Sequence, residues 1–560
     1  MSIKTEFSLL ISFLLSIFFL ASLFFCQGID TKKPSMGVIN AKIWTGNSDQ
    51  PWAEAIAVAG DKIVAVGSTA EIQLLLNDNA RIIDAEEMMI TPGFIDAHVH
   101  FIEGGLRLAS VQLRDAGTRE EFVRRIREYA QHSEPGSWIT GGDWDHSLWG
   151  GELPAAQWID HLTPNNPVWI NRLDGHMALA NNLAMTKAGI TADTPDIKGG
   201  TIVRDKNGNP TGIFKDNAMA LIGQVVPEPT QQQKDSALFA AIEYVSQQGI
   251  TSVHHMGSWE DVAIFERNYR QGKLKTRIFA SVPISSWEKL HDRIQQQGTG
   301  NPWLRVGGLK GFADGSLGSH TAAFFEAYTD VPHDSGLMVN STEDLYQWIS
   351  DGDKVGLQAI IHAIGDRANH LILNIFERVA RENGERDRRF RIEHAQHLSR
   401  SDIRRFGQLN VIASMQPYHA IDDGRWAERM IGAERIKTTY AFRSLIDAGA
   451  TVAFGSDWYV APPIPLLGIY AAVTRRTLDD KNPDGWVPEQ KISVEEALRA
   501  YTIDAAFALF EEKIKGSLEA GKLADFVMID QDITQIAPEN IQDAKIMLTV
   551  AGGEIIFRRE

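Results

Sequence analysis

Between residues 250 and 454 the chain alternates short apolar runs with longer stretches of helical periodicity. The runs lie at 250–254, 277–282, 306–312, 358–362, 390–394, 411–415 and 451–454, and residues 232–248 and 370–382 are two of the helical stretches. Strands and helices alternating over this length predict an α/β fold, a parallel sheet closed into a (β/α)8 TIM-like barrel. In such a barrel the reactive groups stand at the C-terminal ends of the strands. With 560 residues, 44% of them hydrophobic, the chain can bury a core of that size.

A further apolar strand lies in TPGFIDAHVHF, residues 91–101. Residues i and i+2 of a strand point the same way, so His98 and His100 project together as neighbouring imidazoles. Neutral imidazole is a preferred ligand of divalent zinc. Alone, a His-x-His pair is a weak signal, because two histidines on a wet strand face are common. The later runs add polar residues at their ends: His254 and His255, Lys310, His362, His394, Gln416 and Asp457. Any one of these could be a cap or a core polar group, but His98, His100, Lys310, His362, His394 and Asp457 together form one ordered set at successive strand ends.

The flanks differ from the middle. Residues 7–25 (FSLLISFLLSIFFLASLFF) carry no charge and read as an export signal or membrane anchor, to be set aside from the fold. Cys26, the one cysteine, follows at once. Leu23-Phe24-Phe25-Cys26 resembles a bacterial lipoprotein cleavage box, with Phe25 where such boxes have a small residue. The expected location is extracytoplasmic: secreted, periplasmic or membrane-anchored through residues 1–26, with lipid attachment at Cys26 as one route. Membrane contact is expected there only.

Residues 36–90 and 516–560 show strand alternation, with turn signals at Gly60-Asp61 and Gly552-Gly553. The two ends are expected to pair into one small β-sandwich. The domain layout is therefore a leader or anchor at 1–30, sandwich at 36–90, barrel at 91–515 and sandwich again at 516–560. Roughly 145 residues separate His100 from the next strand, too many for one βα unit. Residues from about 104 to 235 are thus an insertion over the barrel mouth, with a hairpin turning at Asn207-Gly208. Trp144, Asp145, Trp149 and His176 are its candidates for lining a substrate pocket, and Gln416 is a further candidate contact. For the tryptophans, packing of the insertion itself is the competing expectation.

A net charge of −17 argues against nucleic-acid binding. The single cysteine rules out a Cys-rich zinc site, leaving His, Asp, Glu or a modified Lys as metal ligands.

The order His-x-His, Lys, His, His, Asp resembles the amidohydrolase superfamily. The strings DAHVHF, LKGFADGSLGSHTA, HAIGDRAN, RIEHAQH and GSDW, with EAGKLADFVMID near the end, are similar to its long-chain family 3 branch, the N-substituted formamide deformylase-like proteins. The resemblance covers residues 36–560. It implies that His98, His100 and Asp457 hold the more buried of two divalent metal ions, with zinc the default. His362 and His394 would hold the second. Lys310, carboxylated by CO2, would bridge the two as a carbamate. A metal-bound hydroxide would then attack a carbonyl carbon, with Asp457 shuttling the proton to the leaving nitrogen. By analogy, His176 would steady the oxyanion. The expected activity is hydrolysis of a carbon–nitrogen bond other than a peptide bond, in a small amide-like substrate such as an N-substituted amide or formamide. A homodimer is the default assembly.

Two other functions remain open at this point. A single-metal deaminase of the same superfamily would not use Lys310 and should carry a His-Ala-Gly-Glu string. The matching place here reads His362-Ala363-Ile364-Gly365-Asp366. A non-catalytic, membrane-tethered binding protein would have lost ligands, and all six positions are filled.

Overall fold

The structure, a computed structural model, describes residues 33–173, 177–197, 200–318 and 320–560. The apolar segment and Cys26 lie outside them, as does His176. Among the described residues no helix is long and apolar enough to cross a membrane.

Eight parallel strands form the central sheet: β1 (Phe94–Val99), β2 (Ile250–Met256), β3 (Arg277–Pro283), β4 (Leu304–Phe312), β5 (Gln358–Ala363), β6 (Arg391–His394), β7 (Ile412–Met415) and β8 (Val452–Phe454). They follow one another in chain order around the sheet. Beyond β8 the ring is drawn together by a parallel bridge between Val99 and Trp458, and the Asp457 N–H donates to the His98 carbonyl (2.7 Å). The eight-stranded barrel expected from the alternation is present, with strand ends moved by a few residues.

Burial explains the near-continuous apolar runs. β1 and β2 are buried along their whole length, as parallel strands covered on both faces must be. The helices outside carry apolar stripes. Helix Asp366–Asn383 buries Ala368, Ile372, Phe376 and Val379 on one face. Helix Trp259–Arg270 starts at a capping box in which the Ser258 N–H and hydroxyl both donate to Asp261.

The closing seam has its own lock. Asp96, buried on β1, accepts hydrogen bonds from the Ser456 N–H (2.9 Å), the Ser456 hydroxyl (2.6 Å) and the His98 N–H (3.1 Å). Burial pushes its carboxyl up to about 7 despite these bonds. At Gly455 a Cβ would stand 2.5 Å from the His98 nitrogen, so only glycine lets the strand after β8 approach.

Both chain ends share a six-stranded sheet in the order Glu554–Arg558, Ile546–Ala551, Phe526–Ile529, Met89–Pro92, Lys42–Trp44, Trp52–Ala53. A four-stranded sheet, Lys62–Gly67, Ala55–Ala59, Met36–Ile39 and Arg81–Asp84, packs with it around Val38, Ile56, Ile90, Phe526 and Leu548. The chain passes from one sheet to the other at Asn40, whose φ is +52°. The insertion builds a fourth sheet, of six strands, between Val111–Gln112 and Pro210–Asp216. Its Gly200–Arg204 and Pro210–Asp216 strands pair antiparallel across a turn in which Gly208 takes φ +85°.

Arg277 on β3 ties the barrel to the shared sheet through a bidentate pair with Asp525 (2.6 and 2.8 Å), both side chains buried. Removing one member strands a buried charge. Asp525→Ala is expected to lower unfolding stability by about 3–5 kcal/mol, read as a chemical-denaturation midpoint shift against the parent chain.

Candidate active site

All six members of the ordered set reach one end of the barrel. His98 ends β1 and His100 follows it, Lys310 and His362 lie near the ends of β4 and β5, His394 closes β6, and Asp457 follows β8. The ring centroids of His98 and His394 are 5.0 Å apart, those of His362 and His394 4.5 Å, and those of His98 and His100 5.5 Å. His98, His394, Lys310 and Asp457 are buried, while His100 and His362 are half-buried.

Three of the four rings are aimed by a hydrogen bond on the far nitrogen. His98 Nδ1–H donates to Glu393 (2.5 Å), His394 Nδ1–H to Gln416 Oε1 (2.8 Å), and His362 Nε2–H to the Gly315 carbonyl (3.0 Å). This leaves Nε2 of His98, Nε2 of His394 and Nδ1 of His362 as the lone-pair atoms. Burial drives His98 down to about 4 and His362 to about 3, and holds His394 well below the usual histidine range, so these rings are neutral.

The contact between His98 and Asp457 is acceptor against acceptor. Asp457 Oδ1 lies 3.3 Å from His98 Nε2 and 3.3 Å from His100 Nε2. With its proton on Nδ1, the His98 ring offers no hydrogen there. Two ligands about 2.0–2.1 Å from one tetrahedral zinc stand about 3.3 Å apart. The three side chains therefore fit a cation at their centre. A second group, His394, His419 and Asp457, also brings one ligand atom each to within 4.8 Å of one another. Burial lowers the Lys310 ammonium to about 8, its positive neighbour Arg391 adding to the effect against Glu393 and Asp457.

Behind these side chains runs a buried chain of charge. Glu393 Oε1 accepts from Arg391 Nε (2.5 Å), Arg391 Nη1 donates to His254 Nδ1 (2.9 Å), and Arg391 also reaches the Ala97 carbonyl and Ser414. His254 thus works behind the site, and His255 accepts the Phe101 N–H (3.0 Å) to shape the turn after β1. Asp314 fixes the turn after β5 by accepting from the N–H groups of Ile364 and Gly365. His394 and Asp457 both have left-handed backbones, φ +72° and +60°, a strain common at functional sites.

The substrate candidates fare differently. Trp144 is fully buried in the insertion, edge-on to Phe122, and gives its indole N–H to the Ile170 carbonyl (3.0 Å). It packs the insertion and lines no pocket. Trp149 also stacks toward Phe122 and donates to Glu152. Asp145 pairs with Arg172 (3.2 Å). Gln416 is buried and serves His394. The insertion meets the mouth elsewhere: Arg107 bonds Asp143 (2.9 Å) and lies 4.9 Å from the Tyr459 ring, and Arg114 donates to the Val460 carbonyl (2.8 Å). Sequence reasoning missed His419, Glu393, Arg391, Asp96 and Asp314. The signal for two of them was present, since charges at 391 and 393 interrupt a run otherwise read as core.

Comparison with known proteins agrees with this geometry. The model of the amidohydrolase family matches residues 81–557. The chain belongs to the amidohydrolase family. It is 42% identical over 535 residues to Protein LONG AFTER FAR-RED 3 of Arabidopsis thaliana, covering 93% of this chain and 91% of that one. It is 26% identical over 547 residues to N-substituted formamide deformylase of Arthrobacter pascens, covering 94% and 99%. The crystal structure of an uncharacterized metal-dependent hydrolase from Pyrococcus horikoshii OT3 superposes with a TM-score of 0.75 at 27% identity, covering 90% and 99%. This amidohydrolase is accordingly a metal-dependent hydrolase of carbon–nitrogen bonds on a TIM-like barrel.

Glu393→Gln keeps the shape of the side chain but weakens the charge-assisted bond that aims His98. Metal affinity is expected to fall about 10–100-fold, measured by chelator competition on protein whose folded state is checked by circular dichroism.

Proposed function

We propose that this amidohydrolase cleaves a non-peptide carbon–nitrogen bond in a small N-substituted amide or formamide. The observation that carries the reading is the convergence of imidazoles and one carboxylate beside a buried lysine, with His98 Nε2 facing Asp457 Oδ1 lone pair to lone pair at 3.3 Å. The substrate class follows the name of the Arthrobacter relative, N-substituted formamide deformylase, which matches over nearly the whole of both chains.

His98, His100 and Asp457 would hold one divalent ion, with zinc favoured by the nitrogen and oxygen donors. His362, His394 and Lys310 would hold a second. When bound, such ions polarise a carbonyl and make water acidic near neutral pH. Lys310 at about 8 leaves roughly a tenth of its amine neutral at pH 7. That amine can add to CO2 and release a proton, giving the carbamate. Gln416 and Glu393 keep the rings turned inward. Asp457 accepts the proton of the attacking water and returns it to the leaving nitrogen, which cannot depart as an amide anion. Residues 1–26 would place the enzyme outside the cytoplasm.

A hydrolysis screen of zinc-loaded protein with N-formyl amines, N-acyl amino acids, cyclic imides and lactones tests the reading. Turnover of N-formyl or N-acyl amines supports it, and activity on lactones alone contradicts it. Asp457→Asn keeps an oxygen for the metal but cannot take the proton. Its kcat is expected to fall about 10²–10⁴-fold with only modest metal loss, measured on matched metal-loaded samples. Lys310→Ala is expected to lose metal and activity together, with propionate restoring part of both. Full metal content in that variant removes Lys310 from the ligand set.

A further inference from the structure

Among the described residues, His419 is an imidazole at the mouth that the proposed ligand set leaves over. It lies on the short helix Pro417–Asp423 after β7, and the His419 N–H is anchored to the Gln416 carbonyl (3.1 Å). Its Nε2 is buried and has no hydrogen-bond partner among the described residues. A ring nitrogen of His419 is within 4.8 Å of ligand atoms of both His394 and Asp457. Leaving a buried polar atom unpaired is unfavourable, and proteins rarely do so without a reason. The reason at this place is a partner that arrives from outside.

That partner is a water molecule, a metal ion or the substrate, and a water held there is the one that an incoming substrate oxygen would displace. One proposed metal position already has His98, His100 and Asp457, and the other has His362, His394 and Lys310. His419 is in excess of both sets. It stands next to Asp457, the proposed proton carrier, so a reacting carbonyl beside Asp457 would present its oxygen or nitrogen to His419. The leaving nitrogen is served by Asp457, which leaves the oxygen.

We propose that His419 is a catalytic residue that contacts the substrate, its Nε2–H donating a hydrogen bond to the carbonyl oxygen as that oxygen gains negative charge. No proton is transferred by His419, and the bond strengthens as the carbon becomes tetrahedral. This is the role that the sequence assigned by analogy to His176. The inference rests on the hydrolase reading above, and it concerns stabilisation of an oxyanion next to Asp457 whatever amine is released.

The test uses the full chain loaded with zinc, His419→Ala and His419→Gln. Zinc per chain is measured by mass spectrometry. Binding of methylphosphonate, a tetrahedral anion that needs no turnover, is measured by calorimetry. Kinetics are run on the best substrate of the screen. Both variants should keep parental zinc. His419→Ala should lose about 10²–10³-fold in kcat with KM little changed, and should bind methylphosphonate at least about tenfold more weakly. His419→Gln, which keeps an N–H donor, should recover part of both losses. Zinc loss in both variants would make His419 a metal ligand and overturn the proposal. So would parental kcat and phosphonate affinity, or failure of the zinc-loaded parent to bind methylphosphonate. If the parent hydrolyses nothing in the screen while phosphonate affinity still depends on His419, the substrate reading fails and this one stands.

Discussion

Glu393 sets the chemistry of the barrel mouth by accepting the one hydrogen bond that the neutral His98 ring can donate. Its carboxylate draws the hydrogen to Nδ1 at 2.5 Å, and the opposite nitrogen is left facing Asp457 as an acceptor. Glu393 can stay charged inside the barrel because Arg391 lies against it, and Arg391 is held in turn by His254, Ser414 and the Ala97 carbonyl. Buried ion pairs contribute little net stability on their own, because desolvation offsets the attraction. This one does something else: it fixes a tautomer and a ring direction, and so defines where positive charge must go.

The rest of the fold supports that geometry. Eight strands bring the donors to one rim, and the Asp96–Ser456 lock holds β1 against the segment that carries Asp457. His394 and Asp457 keep left-handed backbones within this frame. The insertion reaches the same rim through Arg107, Asp143 and Arg114, against the loop that follows Asp457. Variation in the insertion could therefore change the substrate without touching the donors.

The barrel was legible because its strands are buried on both faces and its helices on one. Those two patterns survive in the residue order whatever the tertiary contacts. The six strand-end donors were legible for the same reason: a His, Lys or Asp ending an apolar run is visible without coordinates. The substrate side was not. Trp144 stands between two aspartates, just after a pair of glycines, which suits a pocket or a core equally well. Only the packing of Phe122 and the Ile170 carbonyl decided for the core. His419 was hidden because it lies on a helical turn after its strand, where no periodicity marks it. Gln416 was found but misread, since a strand-end amide can face a ligand or serve a neighbouring ring, and only the 2.8 Å contact to His394 separates these.

Crystals of the zinc-loaded chain, measured at and below the zinc absorption edge, test the central claim most directly. The account predicts two anomalous peaks at the barrel mouth. One should lie within bonding distance of His98 Nε2, His100 Nε2 and Asp457. The other should lie within bonding distance of His362 Nδ1 and His394 Nε2, with density extending from Lys310 Nζ between them. Peaks absent from the mouth of fully loaded protein, or a zinc held without His98 and Asp457, would contradict it.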